Sequence, residues 1–270
     1  MKLARFANYL FTYWNSLRGK QIFKPEDRSL GKYLKCPVFV INLERSEYRR
    51  QFMLNYLDGL GIDAQIFPAV DGTKLNIDEL QRQGIYNDAL AHEKFSRSLS
   101  CAEIACTLSH LSVYRKMVDE NIPMAMILED DAMFSEGGTD RLSSALREVP
   151  PGWEVLQLHY NCKEHVHITD NLVRFPAKTR MPIGAAGYLM RNTGAKKMLA
   201  NGFPVCYPAD SLLGRSPRWS VVLYGLAPPV IVQNSIFPTQ IYPTTKWIDK
   251  LRYVVKQGIV SALANITRRR

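Results

Sequence analysis

The chain has 270 residues, 46% hydrophobic and 10% aromatic, which excludes a disordered or collagen-like polypeptide and is enough to bury a substantial core. Its net charge of +10 is unevenly placed: residues 1–35 carry +6, residues 246–270 carry +6, and the span between them carries −2. A nearly neutral middle argues against a nucleic-acid groove through the core, and basic ends make an anionic membrane surface the expected partner.

In chain order, Leu3, Phe6, Leu10, Trp14 and Leu17 lie at helical steps, so residues 1–18 are expected to form an amphipathic basic helix. A turn-rich linker with Gly19, Pro25 and Gly31 follows, and residues 1–35 read as a segment apart from the main domain. Val38 to Ile41 is a continuous apolar run, as in a strand buried on both faces. Ser46 is a plausible N-cap for a helix over Arg49 to Leu60 that stops at Gly59 and Gly61. A second strand, Ala64 to Val70, closes at Asp71-Gly72, and a short helix is expected around Ile77–Gln83. Ser100 and Glu103 match a capping box, and behind them Ile104, Leu108, Leu111 and Val118 keep helical spacing until Pro123 breaks it.

The next strand, Met124 to Leu128, runs directly into Glu129-Asp130-Asp131. Further strands are expected at Val155–Leu158, Val173–Phe175, Tyr188–Met190 and Val221–Leu226, with a helix over Thr193–Asn201. This alternation of strand and helix gives an α/β class with a mixed, mostly parallel sheet over residues 36–245. Ile248, Leu251, Val255, Ile259, Ala262 and Ile266 form a second basic amphipathic stripe at residues 246–270. Each terminal stripe can either pack on the core or lie in a membrane interface. No run reaches the length of a membrane span, and no leader pattern is expected at the N-terminus. The five cysteines are odd in number and lack a CxxC pair, so free thiols in a cytoplasmic compartment are expected.

Chemistry concentrates at Glu129-Asp130-Asp131. Ligands of open α/β sheets bind beyond the carboxyl ends of the strands. Three adjacent carboxylates repel one another and lose hydration unless a cation compensates, and an oxygen-only set suits Mg²⁺ or Mn²⁺ bridging to a phosphate. Strand alternation would put Glu129 and Asp131 on one side and Asp130 on the other. The competing reading is a solvated acidic loop. A second cluster, His159, Cys162, His165 and His167, has the ligand types for zinc, but its spacing fits no zinc pattern and a polar loop is the plainer reading.

Several segments together resemble glycosyltransferase family 25, the lipopolysaccharide and lipooligosaccharide glycosyltransferases related to collagen galactosyltransferases. They are Val40-Ile41-Asn42-Leu43-Glu44-Arg45 with Arg49-Arg50, Ala69-Val70-Asp71-Gly72, Leu108-Ser109-His110-Leu111, Ile127-Leu128-Glu129-Asp130-Asp131 and Gly184-Ala185-Ala186-Gly187-Tyr188. The resemblance covers about residues 36–235. It implies a GT-A-like, Rossmann-type domain that uses a UDP-sugar and Mn²⁺ or Mg²⁺ and inverts the anomeric configuration.

Glu129 and Asp131 are then the spacing-based metal ligands, standing where the family's relatives carry Asp-x-Asp, and Asp130 joins the donor site. Asn42, Arg45 and Arg50 become nucleotide-site candidates, since arginine forks suit phosphates. Arg45, Arg49 and Arg50 can equally be surface residues of the first helix. Asp71 is a candidate for ribose contacts or merely half of a turn. His110 is a donor-site candidate or a satisfied structural histidine, and Gly187 and Tyr188 mark the acceptor region. Inversion needs one general base, and Asp210 is chosen because no other acid lies between Asp170 and Asp249. Its alternative role is helix capping.

The expected activity is hexose transfer, galactose from UDP-galactose, to a lipooligosaccharide glycolipid acceptor at the inner face of a bacterial inner membrane. Two rivals remain: the same fold with another UDP-sugar or a protein acceptor, and a non-catalytic basic membrane-binding module.

Overall fold

The computed structural model describes residues 34–176 and 181–234. The two expected terminal helices, the linker before residue 34 and the proposed boundary at 245 lie outside the described residues.

Among the described residues, ten strands and seven α-helices follow one another. Strand β1 (Val38–Asn42) is buried along its whole length. Helix α1 (Glu47–Gly59) returns the chain to β2 (Ala64–Pro68), which pairs parallel to β1. Asp71 caps a 3₁₀ turn at Gly72–Lys74, and helices α2 (Ile77–Arg82) and α3 (Asp88–Phe95) lead to the long α4 (Cys101–Asp119). The expected capping box is present: the Ser100 side chain accepts from the Glu103 amide, and the Glu103 carboxylate accepts from the Ser100 amide. Gly72 lies so close to the start of α4 that a Cβ there would stand 2.9 Å from the Cys101 carbonyl oxygen, which fixes the Asp71-Gly72 turn against this helix.

Strand β3 (Met124–Glu129) joins the other edge of β1 in parallel register, with Glu129 opposite Ile41. Beyond it the chain turns at once into β4 (Ala132–Phe134) and α5 (Gly138–Glu148). Then come β5 (Val155–Gln157), β6 (Val166–His167), β7 (Leu172–Arg174), β8 (Gly187–Arg191) and α6 (Asn192–Gly202). Helix α7 (Ala209–Gly214), β9 (Leu223–Leu226) and β10 (Ile231–Gln233) end the described part.

Eight strands form one mixed sheet in the order β2-β1-β3-β8-β5-β9-β7-β6, and β4 pairs with β10 in a two-stranded ribbon. Pairing is parallel in β2-β1-β3 and between β5 and β9, and antiparallel elsewhere. Thus the expected α/β class with a mixed sheet holds, although four of the seven pairings in this sheet are antiparallel, and the parallel block is the part that carries the acidic strand end.

Helices cover both faces of the sheet. Phe39, Ile41, Ala125, Ile127 and Tyr188 point into one apolar cluster with Leu111 and Tyr114 of α4 and Met198 of α6. Val38, Val40, Met126, Leu128 and Leu189 point the other way, to Met53 and Leu57 of α1 and Leu142 of α5. This strict alternation of successive residues between two cores is why β1 and β3 read as unbroken apolar runs. Sequence reading missed α3, α5 and the β4–β10 ribbon. Helix α3 is a short polar element with one buried residue, Ala91. The ribbon strands are three residues each and become strands only by meeting each other. No helix among the described residues is long and apolar enough to cross a membrane.

Candidate active site

The site lies where β1 and β3 end, with α1 on one face of the sheet and α4 on the other. Strand β3 stops at Glu129, and Asp130-Asp131 form the turn into β4. The alternation expected of an extended chain therefore ends one residue early. Asp130 and Asp131 both reach toward the same guanidinium, while Glu129 faces α4.

That guanidinium belongs to Arg49. It is 8% exposed and donates through Nη1 to Oδ1 of Asp130, while its Nη2 lies 3.5 Å from Oδ2 of Asp131. The Asn42 side-chain amide, 1% exposed, donates to Oδ2 of Asp130 at 2.8 Å and to the Ser46 carbonyl at 3.2 Å. Both oxygens of Asp130 are thus engaged. Burial pushes the Asp130 carboxyl up, even with Arg49 and Asn42 opposing it.

The sequence leaves Arg49 equally open between a phosphate-site role and a surface position of the first helix, although one further signal bears on it. With Met53, Tyr56 and Leu57 it forms the buried stripe of α1. A cation on a buried helical stripe needs an internal anion. Asn42 and Asp130 hold this framework together rather than facing open solvent.

Glu129 is partly buried beneath α4. Burial raises its pKa, but His110, His159 and Arg49 outweigh that, and the net direction is down. Asp131 goes the other way. Burial first, then the neighbouring charge of Glu129, raise it to about 7 against the opposing Arg49. Oδ1 of Asp131 is buried with no hydrogen-bond partner.

Two carboxylates, one carrying an orphaned oxygen and reluctant to ionise beside the other, are the donor set that a hard divalent cation satisfies. The residues present therefore fit such an ion, with Glu129 and Asp131 as the available oxygens and Asp130 already taken.

His110 is 1% exposed. Its Nδ1 lies 2.7 Å from the Tyr188 hydroxyl, and its Nε2 lies 3.5 Å from Oε1 of Glu129. The Tyr188 hydroxyl in turn lies 2.7 Å from that of Tyr114. His110 is thus buried against Glu129 rather than lining an open pocket. Tyr188 is fully buried, and a Cβ at Gly187 would meet Ile231 Cγ1 at 2.9 Å. The pair expected to mark the acceptor region is part of the central sheet, and Tyr188 supports His110 from below.

Arg45 is exposed and pairs with Asp71, whose Oδ1 also accepts from the Thr73 amide and hydroxyl. These bonds, Thr73 first, hold the Asp71 carboxyl down at about 2. Arg50 donates to the Glu44 carbonyl at 3.1 Å. Arg45 and Asp71 thus form a rim beside the β1 and β2 strand ends, and Arg50 tethers the β1–α1 loop.

Asp210 occupies the first turn of α7, with Pro208 rather than Asp210 at the cap position. Its Oδ1 accepts from the Ser211 amide at 2.5 Å. Burial raises its pKa, and the charge of Glu129 adds to the rise. His159, just past β5, feels Glu129 and Asp210 as well, but burial dominates and lowers its pKa. It was read with the Cys162 loop. Cys162, His165 and His167 instead line a separate cavity of about 520 Å³ with Tyr160, Asp170 and Pro228.

The buried arginine thus braces an acidic strand end at the place where open α/β sheets bind their ligands. The family model for glycosyltransferase family 25, described as LPS biosynthesis protein, matches residues 35–213, and the chain belongs to that family. A "Glycosyltransferase 25 family member" of Aedes aegypti is 33% identical over 169 residues, 60% of this chain and 27% of that protein. "Procollagen galactosyltransferase 2" of Homo sapiens is 29% identical over 188 residues, 65% of this chain and 29% of that protein. A Bos taurus relative, 28% identical over 61% of this chain and 28% of its own length, bears the name "Probable inactive glycosyltransferase 25 family member 3". The chain spans less than a third of the length of these relatives.

Proposed function

We propose that this chain is a metal-dependent, inverting glycosyltransferase with a GT-A-like site, moving galactose from UDP-galactose to an oligosaccharide acceptor. The observation that carries the reading is the acidic turn after β3, in which Arg49 and Asn42 occupy both oxygens of Asp130 while Oδ1 of the neighbouring Asp131 is buried without a hydrogen-bond partner.

Glu129 and Asp131 would hold Mn²⁺ or Mg²⁺, which when bound supplies Lewis-acid stabilisation of a departing diphosphate. Arg45, on the exposed rim with Asp71, is placed to meet anionic or ribose groups of the donor. Asp210 accepts the proton of the attacking acceptor hydroxyl. Its raised pKa makes it a stronger base than an ordinary aspartate. Arg49 on α1 and His110 on α4 would fix the positions of the carboxylates before substrate arrives.

The family description favours a lipopolysaccharide-type glycolipid acceptor. The names of the vertebrate relatives favour a second reading, a protein hydroxyl acceptor. The basic segments 1–35 and 246–270 favour work at an anionic membrane surface, the cytoplasmic face of a bacterial inner membrane in this reading. The test is UDP release from a panel of UDP-sugars, with and without Mn²⁺, using lipooligosaccharide and hydroxylysine-peptide acceptors. Galactose-specific, metal-dependent transfer is expected. No UDP binding and no turnover with any donor would leave the non-catalytic membrane-binding module standing.

A further inference from the structure

We propose that Cys106, His110 and Glu129 form a site for a thiophilic divalent cation of the Zn²⁺ type, and that filling it inhibits the enzyme by taking Glu129. The inhibition rests on the donor-metal reading above; the binding does not.

Cys106 and His110 are four residues apart on α4 and so share one face of the helix, directly over the end of β3. One ligand atom from each of the two, together with a Glu129 carboxylate oxygen, all lie within 4.8 Å of one another. Among the described residues this is the one trio of histidine, cysteine and acidic side chains gathered so closely. A tetrahedral zinc with ligand bonds of about 2.0–2.3 Å holds its ligand atoms about 3.4–3.7 Å apart. The Nε2–Oε1 separation of 3.5 Å already has that value. The Cys106 sulfur lies within 4.8 Å of both other ligands.

The histidine is built like a ligand. Its ring is 1% exposed, and Nε2 is buried without a hydrogen-bond partner. Its other nitrogen is fixed 2.7 Å from the Tyr188 hydroxyl, itself held by Tyr114. A histidine that gives its Nδ1–H to such an oxygen presents a lone pair at Nε2, and support of this kind sets ring orientation around bound metals. The chemistry balances simply. The thiol proton leaves to solvent, the imidazole stays neutral with its proton on Nδ1, and the cation takes thiolate, nitrogen and carboxylate oxygen, with water in the fourth place. Soft sulfur selects zinc or cobalt over Mn²⁺ and Mg²⁺, which prefer oxygen. Glu129 would thus be shared between two cations of different character.

The probe is Co²⁺ added to the full chain without Mn²⁺. A near-ultraviolet thiolate-to-cobalt charge-transfer band is expected at one equivalent, displaced by Zn²⁺. The band should be lost in Cys106→Ser and in Cys106→Ala, both checked for a native melting transition, and kept in Cys162→Ser. No band, or a band that survives both Cys106 variants, overturns the site, as does loss of the band in Cys162→Ser alone. In turnover with saturating Mn²⁺, Zn²⁺ should inhibit, and Cys106→Ser should raise the inhibitory concentration by more than about tenfold, since losing even a supporting group around a metal costs 10–100-fold. A Cys106-dependent band without inhibition upholds the cation site and counts against Glu129 as a ligand of the donor metal.

Discussion

Arg49, on the first turn of α1, donates to Asp130, 81 residues later in the chain, and so ties the start of α1 to the turn after β3. The pair is buried on both sides, with side chains 10% and 9% exposed. Removing one partner of such a pair leaves an uncompensated buried charge, at a cost of about 3–5 kcal/mol. Arg49→Ala should lower the urea midpoint accordingly. Arg49→Lys should recover only part of the loss, because a point charge cannot span two carboxylates. A midpoint unchanged in both variants would show that the pair is not formed.

Asp131 sets a pH dependence in the metal-free protein. It keeps its proton in the folded chain up to about pH 7, whereas an unfolded aspartate loses it near pH 4. Between those values the unfolded chain is the more ionised, so rising pH favours unfolding. Stability should therefore fall from about pH 4 and level off above about pH 7. Asp131→Asn should flatten the curve, and Mn²⁺ should restore stability at high pH by binding the ionised site. Melting temperature against pH, with and without chelator, decides this.

Asp210→Asn should lower kcat by about 10²–10⁴-fold, the usual worth of a positioned base, and leave the melting temperature near that of the parent. The parent's kcat/KM should rise with pH through a value above the ordinary aspartate range, because burial and Glu129 raise Asp210. Near-normal turnover in Asp210→Asn would move the base elsewhere, and His159 is the next group to test.

Tyr188→Phe removes the hydroxyl between His110 and Tyr114 without changing the packing of the ring. Leaving a buried nitrogen unsatisfied costs about 1–3 kcal/mol. The variant should unfold at lower urea concentration and weaken Mn²⁺ activation through a less fixed His110. A purely structural tyrosine would change stability and leave the Mn²⁺ dependence alone.

Arg45 pairs with Asp71 on the exposed rim, where an ion pair adds little to stability. Arg45→Ala should raise the KM for donor and leave the melting temperature unchanged. An unchanged KM would remove this rim from the donor site.

Much of the fold was legible because its signals are local. The apolar runs of β1 and β3 report burial on both faces, and the Ser100–Glu103 box fixes the start of α4 from four adjacent residues. Elements stabilised by distant partners were not legible. The three-residue β4 and β10 exist through each other, across nearly a hundred residues of chain.

For the site, the sequence by itself determined its place: an acidic triplet directly after a buried parallel strand. Only the tertiary structure decided the roles within it. A turn after Glu129 overrides strand alternation and sends Asp130 and Asp131 to one guanidinium. Arg49 was legible as a residue on the buried stripe of α1, but its partner lies on another strand. His110 and Tyr188, read as donor and acceptor contacts, are buried and stacked on each other, with His110 against Glu129. The reason is physical. Secondary structure follows from periodicities of two to four residues, whereas the charge state and freedom of a carboxylate depend on which buried groups the fold sets within a few ångströms of it.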